Sequence, residues 1–113
     1  MEHNESFLKK IVGMGTLHYP LQKIINILDI EEKDIEAFQR AFDDTGSAVY
    51  KAYQKGIDKA EYAIDTKLFE MAQKGDLDAL EKYEERMSYN RLIEKTRKEK
   101  TNDPQTNFRK ALH

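Results

Sequence analysis

The stretch AQKGDLDAL, residues 72–80, separates two charge-rich segments that both have the composition of helices. Gly75 can adopt the left-handed conformation that ends a helix, because it has no Cβ. Asp76 can accept hydrogen bonds from the free N–H groups at the start of the next helix. The pair predicts that the chain folds back and packs IDTKLFEMA against LDALEKYEERM. The expected packing residues are Leu77, Leu80, Tyr83 and Met87, beside the small Ala79.

The composition predicts an all-α protein with one small domain, or one domain and an appendage. The chain has 113 residues, of which 39% are hydrophobic and 35% charged, and only five Gly and two Pro. This balance is typical of helical proteins, and a chain of this length can bury one modest core. There is no cysteine, no signal-peptide pattern and no run of 18 apolar residues. We therefore expect a soluble protein in the cytoplasm.

Three short helices are predicted near the start of the chain. The first, in SFLKKIVGMG, has Ser6 as its cap and ends at Gly13 and Gly15. The second, in YPLQKIINILDI, begins with Pro20, whose fixed φ suits the first helical turn. The third, in EEKDIEAFQRAF, is ended by the caps and the glycine of DDTGS. These segments together form the first predicted unit.

The second and third helices have the spacing of a helix-turn-helix. Two residues depart from that pattern, since Ile25 stands where a small residue is usual and Asp29 where glycine usually makes the turn. Any helical hairpin with a short connection would satisfy much of the pattern, so both interpretations stay open. The five positions that must pack together in the motif are apolar, namely Ile24, Leu28, Ile30, Ile35 and Phe38.

The third helix has the wrong charge for reading DNA by itself. Carboxylates close to phosphates reduce affinity, so we expect this helix to act as a scaffold or only within a multimer. Its candidate DNA contacts are the two cations Lys33 and Arg40. The exposed acids near its start are Glu31, Glu32, Asp34 and Glu36.

The segment from Gly46 to Lys74 predicts further helix with an ambiguous centre. Ser47 can cap its start, and Val49, Tyr50 and Tyr53 recur at helical spacing. Gly56 follows, and the helical pattern then continues. Either two helices meet near Gly56 or one helix runs through it.

The charge of the chain is distributed unevenly. Residues 1–45 hold five Lys/Arg against nine Asp/Glu, or −4, and residues 46–87 hold seven against nine, or −2. Residues 88–113 hold seven against three, or +4. A basic cluster of this kind is the usual signature of nucleic-acid contact, although a solvated helix end is an equal alternative. The candidate DNA contacts here are Arg91, Lys95, Arg97, Lys98 and Lys100.

The last helix is expected to run from Leu77 to about Lys100, a length of roughly 35 Å, which so small a core cannot cover. Tyr89, Leu92 and Ile93 form an apolar set that is out of phase with the stripe before it. A second apolar face implies a second partner. We therefore predict that these three residues form an oligomer interface.

No catalytic chemistry is predicted. The three histidines, His3, His18 and His113, are scattered without carboxylates at ligand spacing, and no phosphate-binding loop is present. Exposed acidic pairs such as Glu84 and Glu85 are typical of a solvated helix face. We expect a protein that is not an enzyme and that has no metal or cofactor.

Taken together, YPLQKIINILDI, SAVYKAYQKGIDKAEYAID and LFEMAQKGDLDALEKYEER resemble the small terminase subunits of tailed bacteriophages and related prophage proteins. The resemblance covers about residues 7–87. In that family a helix-turn-helix region precedes a helical hairpin with an A-x-x-G-D-x-x-A-L element. Here that element is Ala72, Gly75, Asp76, Ala79 and Leu80.

The resemblance implies a non-enzymatic DNA-packaging subunit in the cytoplasm of a bacterial host cell. Such a subunit binds double-stranded viral DNA, assembles into a ring and regulates the large terminase subunit, which carries the ATPase and nuclease. We expect a helix-turn-helix-like unit at 1–45, an antiparallel hairpin for oligomerisation at 46–87, and a basic helix end with a flexible tail at 88–113. A dimeric helix-turn-helix transcription regulator and a helical adaptor are the alternatives.

Overall fold

The computed structural model describes residues 4–101, which form helices joined by short loops, with no strand in this range. The predicted all-α class is confirmed. Its five helices are α1 (Glu5–Thr16), α2 (Leu21–Ile27), α3 (Glu32–Asp43), α4 (Ala48–Gln73) and α5 (Leu77–Thr101).

The chain divides into two compact units, Met1–Ile64 and Asp65–His113, and the division falls inside α4. The limits at residues 45 and 87 that the sequence predicts stay predictions. The end of the predicted tail, from residue 102, lies outside the described residues. So do His3 and His113.

In the first unit, four helices contribute to one apolar core. Ile24 of α2 and Phe38 of α3 are fully buried, and the other three positions of the predicted motif pack against the core. Ile25 is also buried there, although the motif usually has a small residue at this position. The buried residues of the core are Ile11, Met14, Ile24, Ile25, Phe38, Val49 and Ala52.

Two glycines bring α1 and α4 into close contact. A Cβ on Gly15 would overlap the backbone carbonyl of Tyr53, and a Cβ on Gly56 would overlap the carbonyl oxygen of Val12. The hydroxyl of Thr16 donates to the carbonyl oxygens of Val12, at 3.1 Å, and of Gly56, at 3.3 Å. Only hydrogen fits at these two Cα atoms, so the backbones approach more closely than any side chain permits.

These contacts correct one prediction and resolve another. Gly13 and Gly15 do not end the first helix, because α1 continues to Thr16 and uses Gly15 for packing. One helix runs through Gly56, which is buried inside α4.

Three helices end with a residue in the left-handed conformation. Gly75, with φ +97°, does so as predicted, whereas His18 and Asp29 have φ of 55° and 53° without being glycine. In each case the N–H of the following residue donates to a carbonyl five residues earlier, as in a Schellman motif. Those three bonds are Tyr19 to Met14 at 3.1 Å, Ile30 to Ile25 at 3.2 Å and Asp76 to Met71 at 3.1 Å.

Three helices begin with a side-chain cap. The side chains of Asn4, Ser47 and Asp76 each accept a hydrogen bond from the N–H three residues later, at 2.7, 3.0 and 3.0 Å. The predicted caps at Ser47 and Asp76 are confirmed. Ser6 is not a cap, because α1 already begins at Glu5. Pro20 lies just before α2 and not in its first turn.

In the second unit, the end of α4 contacts the start of α5. The rings of Phe69 and Tyr83 lie 5.5 Å apart between centroids, and Arg86 forms an ion pair with Asp65. Ala79 is buried, which agrees with its expected role. Leu77 was expected to pack here, but it is 76% exposed, because it lies about 120° around α5 from Tyr83.

Leu80 was also expected in this contact. It is 38% exposed and therefore lies at the edge of the packed face. Met87 is half-buried, as its predicted packing role requires.

Gly56→Ala should destabilise the protein by about 1–3 kcal/mol, because the new methyl group meets backbone atoms that cannot rotate away. Gly13→Ala is the matched control, since a Cβ there meets nothing within 4 Å. We expect it to stabilise α1 by about 0.5–1 kcal/mol. Urea unfolding followed by circular dichroism measures both. Equal effects of the two substitutions would show that α1 and α4 do not cross at Gly56.

Asp29→Gly and Gly75→Ala should change stability in opposite directions. Glycine relieves the backbone strain of the left-handed conformation at position 29 and should stabilise the protein by up to about 1 kcal/mol. The greater conformational freedom of glycine in the unfolded chain reduces this gain. Alanine introduces that strain at position 75 and should destabilise by about 1 kcal/mol or more. Thermal unfolding of both variants checks the signs, and a lower midpoint for Asp29→Gly would contradict the assignment.

Candidate nucleic-acid and self-association surfaces

The second half of α5 is exposed along its whole circumference. Every side chain from residue 88 to residue 100 is classed as exposed, as the excess length of the predicted helix requires. The side chains of this segment are therefore available to partners, and their arrangement around the helix decides which of them can act together.

The five predicted cations of this segment lie on two different faces. Arg91, Lys95 and Lys98 recur at intervals of four and three, and they border one shallow groove of about 430 Å³ together with two glutamates. Arg97 and Lys100 lie instead beside the apolar residues of the helix. The structure thus brings three of the five together, and we call these three the basic face.

Some of this positive charge is already paired within α5. Arg97 donates from Nε and Nη2 to Oε1 of Glu94, at 2.9 and 2.5 Å. This hydrogen bond lowers the pKa of Glu94 and raises the pKa of Arg97. Lys95 lies 4.0 Å from Glu99, a distance at which an exposed pair contributes little.

The predicted oligomer residues form an exposed apolar patch. Tyr89, Leu92 and Ile93 are 64%, 59% and 51% exposed. Leu92 and Ile93 also line a groove with Thr96, Arg97 and Lys100. The exposure agrees with the sequence analysis, and self-association through these residues stays a prediction.

The cations of α3 lie in the first unit. Lys33 and Arg40 are seven residues apart, about two helical turns, so they point to the same side of the helix. Both are exposed, and Lys33 pairs with Glu31 at 3.3 Å. That pairing neutralises part of the small positive charge that this helix offers to DNA.

A row of lysines on α4 was missed in the sequence. Lys51, Lys55 and Lys59 recur every fourth residue and line a groove of about 450 Å³ with Tyr50 and Tyr62, among others. The spacing is visible in YKAYQKGIDKAEY. It was overlooked because the net charge of residues 46–87 is −2. A regional net charge does not show that three lysines share one helix face.

No metal-binding cluster is found in residues 4–101. Within this range no three His, Asp or Glu side chains are placed to hold a metal ion. His18 has a backbone role, because it ends α1 in the left-handed conformation. None of the described helices is long and apolar enough to cross a membrane.

Comparison of the chain with protein-family models, with curated proteins and with solved structures gave no match.

Arg97→Gln should raise the pKa of Glu94 toward its ordinary value, because the hydrogen bond that lowers it is lost. Lys98→Gln is the control, since Lys98 lowers this pKa only through its charge and less strongly than Arg97. In the wild type, this contact should stabilise the end of α5 fully at pH values above the ordinary carboxyl pKa. The stabilisation should be lost as the pH falls through the lowered pKa of Glu94. Carboxyl NMR titration measures these shifts, and equal shifts in both variants would contradict the pairing.

Proposed function

We propose that this chain is a non-enzymatic accessory protein of bacteriophage DNA packaging, similar to a terminase small subunit. In this proposal it oligomerises, binds double-stranded DNA and regulates a large terminase subunit. Its architecture is a helix-turn-helix-like unit of α1 to α3, followed by an antiparallel hairpin of α4 and α5. No enzyme activity of its own is included.

The observation that carries the proposal is the α2–turn–α3 unit. Its turn contains Asp29 in the left-handed conformation, at the position where the motif usually has glycine. The departure noted in the sequence is thus compatible with the motif, because aspartate tolerates this conformation better than most residues. The motif's apolar positions belong to the core of the first unit or pack against it.

The basic face of α5 is the proposed main DNA contact. Arg91, Lys95 and Lys98 lie on one side of an exposed helix, where they can approach successive phosphates. Contacts of this kind depend on charge and not on base sequence, so they should give salt-sensitive and weakly specific binding. The acids of α3 oppose such an attraction at the helix-turn-helix.

Self-association is proposed through the exposed patch of Tyr89, Leu92 and Ile93. Aromatic and aliphatic side chains that are more than half exposed on one helix face favour burial against another chain. An oligomer would also place several basic faces in one particle. Several weak phosphate contacts would then act together, so the oligomer would bind DNA more tightly than one chain does.

The test uses a variant in which Arg91, Lys95 and Lys98 are all replaced by Gln. Its binding to duplex DNA is measured over a range of salt concentrations. Each lost phosphate contact should reduce the slope of log affinity against log salt by about 0.9. We expect a slope smaller by about 2–3, similar for all DNA sequences, and an unchanged oligomer. Lys33→Glu with Arg40→Glu is the control on α3.

Two results would overturn this assignment. If the α3 control abolishes binding while the α5 variant binds normally, the helix-turn-helix is the DNA-reading element. If the intact chain is a monomer in light scattering at high micromolar concentration, the proposal that it is a ring-forming subunit is wrong. A dimer that binds a palindrome would instead favour the transcription regulator, because such dimers match the two-fold symmetry of their sites.

A further inference from the structure

The lysine row of α4, Lys51, Lys55 and Lys59, is held on a rigid support. Val49, Ala52 and Gly56 of the same helix segment are buried. The three lysines are exposed, and successive members are separated by about 6 Å along the axis. The row therefore presents three positive charges at a regular spacing over about 12 Å.

This row has no partner of opposite charge within the described chain. No Asp or Glu of residues 4–101 lies within ion-pair distance of any of the three lysines. The nearby Asp58 accepts a hydrogen bond from Gln54 at 3.1 Å. Tyr50 and Tyr62 stand at the two ends of the row, and Tyr62 is 75% exposed. The surface combines unpaired cations with one exposed and one half-buried aromatic ring.

A complementary surface occurs on α5. Asp78, Glu81 and Glu85 are exposed and recur at intervals of three and four, which places them on one side of the helix over about 10 Å. We call them the acidic row. The same side of α5 continues into the apolar patch of Tyr89, Leu92 and Ile93. This surface therefore offers three anions followed by an aromatic and aliphatic patch.

We propose that the lysine row is a docking surface for the α5 of a second copy of this chain. The acidic row of that copy would lie against the three lysines, and its Tyr89 would lie beside Tyr50 or Tyr62. The two rows have the same number of charges, opposite signs and similar lengths. The inference rests on the proposed self-association and identifies the second surface that it requires.

A contact between two different surfaces has a consequence for assembly. Each copy would use its lysine row for one neighbour and its acidic row for another, which is a heterologous contact. Such contacts propagate and close into rings when the rotation between copies permits. The apolar patch alone could be satisfied by a two-fold dimer.

The local charge favours a second copy over nucleic acid as the partner. Residues 46–87 have a net charge of −2, and Asp58 lies within the groove beside the lysine row. A region of net negative charge attracts phosphates less than residues 88–113, whose net charge is +4. Protein side chains of both charges can adjust to it.

A charge-exchange experiment tests the inference on the full chain. One variant carries Lys51→Glu and Lys55→Glu, a second carries Glu81→Lys and Glu85→Lys, and a third combines all four changes. Light scattering should show assembly weakened by about tenfold or more in each of the first two, because like charges then face each other. The combined variant should assemble like the wild type.

The control is Lys10→Glu with Lys67→Glu, which changes the net charge as much as the lysine-row variant does, at exposed sites outside both rows. It should leave assembly unchanged. Circular dichroism verifies that each variant folds, and recovery in the combined variant excludes misfolding as the cause of a loss.

The outcomes separate this inference from the proposed function. A monomeric wild type would contradict the proposed self-association itself. If the wild type assembles and both two-residue variants assemble normally, the inference is wrong and the proposed function stands. It is also wrong if the combined variant fails to recover. Loss of duplex-DNA binding in Lys51→Glu with Lys55→Glu, at unchanged assembly, would make the row a nucleic-acid surface instead.

Discussion

The close contact of α1 and α4 at Gly15 and Gly56 is the constraint on which the first unit depends. It sets the start of α4 against the helices that precede it, and so lets Val49 and Ala52 enter their core. Tyr53 completes this attachment. Its hydroxyl donates to the carbonyl oxygen of Tyr19 at 2.9 Å, and its ring lies 4.9 Å from that of Phe42. The exposed side of the same helix segment is consequently held in a defined orientation.

The second unit is stabilised differently. Only Ala79 is fully covered among its described residues, so a large apolar core cannot hold it together. Its order depends on the helix-ending geometry at Gly75, the cap at Asp76, one aromatic pair and one ion pair. A long helix with so little burial has most of its surface left for partners, which is the property that the proposed function requires.

The charged side chains of this protein are separated onto distinct helix faces, which the net charge of the whole chain does not reveal. A net charge of −2 suggests little attraction to anything. The described helices nevertheless separate a lysine row, an acidic row and a basic face, each confined to one side of one helix. Interactions between exposed charges are screened beyond about 8–10 Å in physiological salt, so a molecule in contact with one face interacts mainly with the charges of that face.

The sequence by itself determined the features that depend on neighbouring residues. The all-α class, the helix break at Gly75 and Asp76, the cap at Ser47 and the excess length of α5 all follow from local conformational preference, capping and helical period. The exposure of Tyr89, Leu92 and Ile93 also followed, because their phase differs from that of the preceding stripe.

The tertiary structure alone decided what the other glycines do and where α1 and α2 end. A glycine is equally compatible with a helix end and with close backbone packing. Gly15 became a packing residue because α4 lies against it, and the left-handed ends fell to His18 and Asp29. The sequence predicted the five cations of the candidate site, but it did not predict that they lie on two different faces of α5. A charge cluster that is identified from residue order alone does not show which side of the helix each side chain occupies. The lysine row of α4 was missed because whether a face is buried or exposed depends on which distant segments cover it.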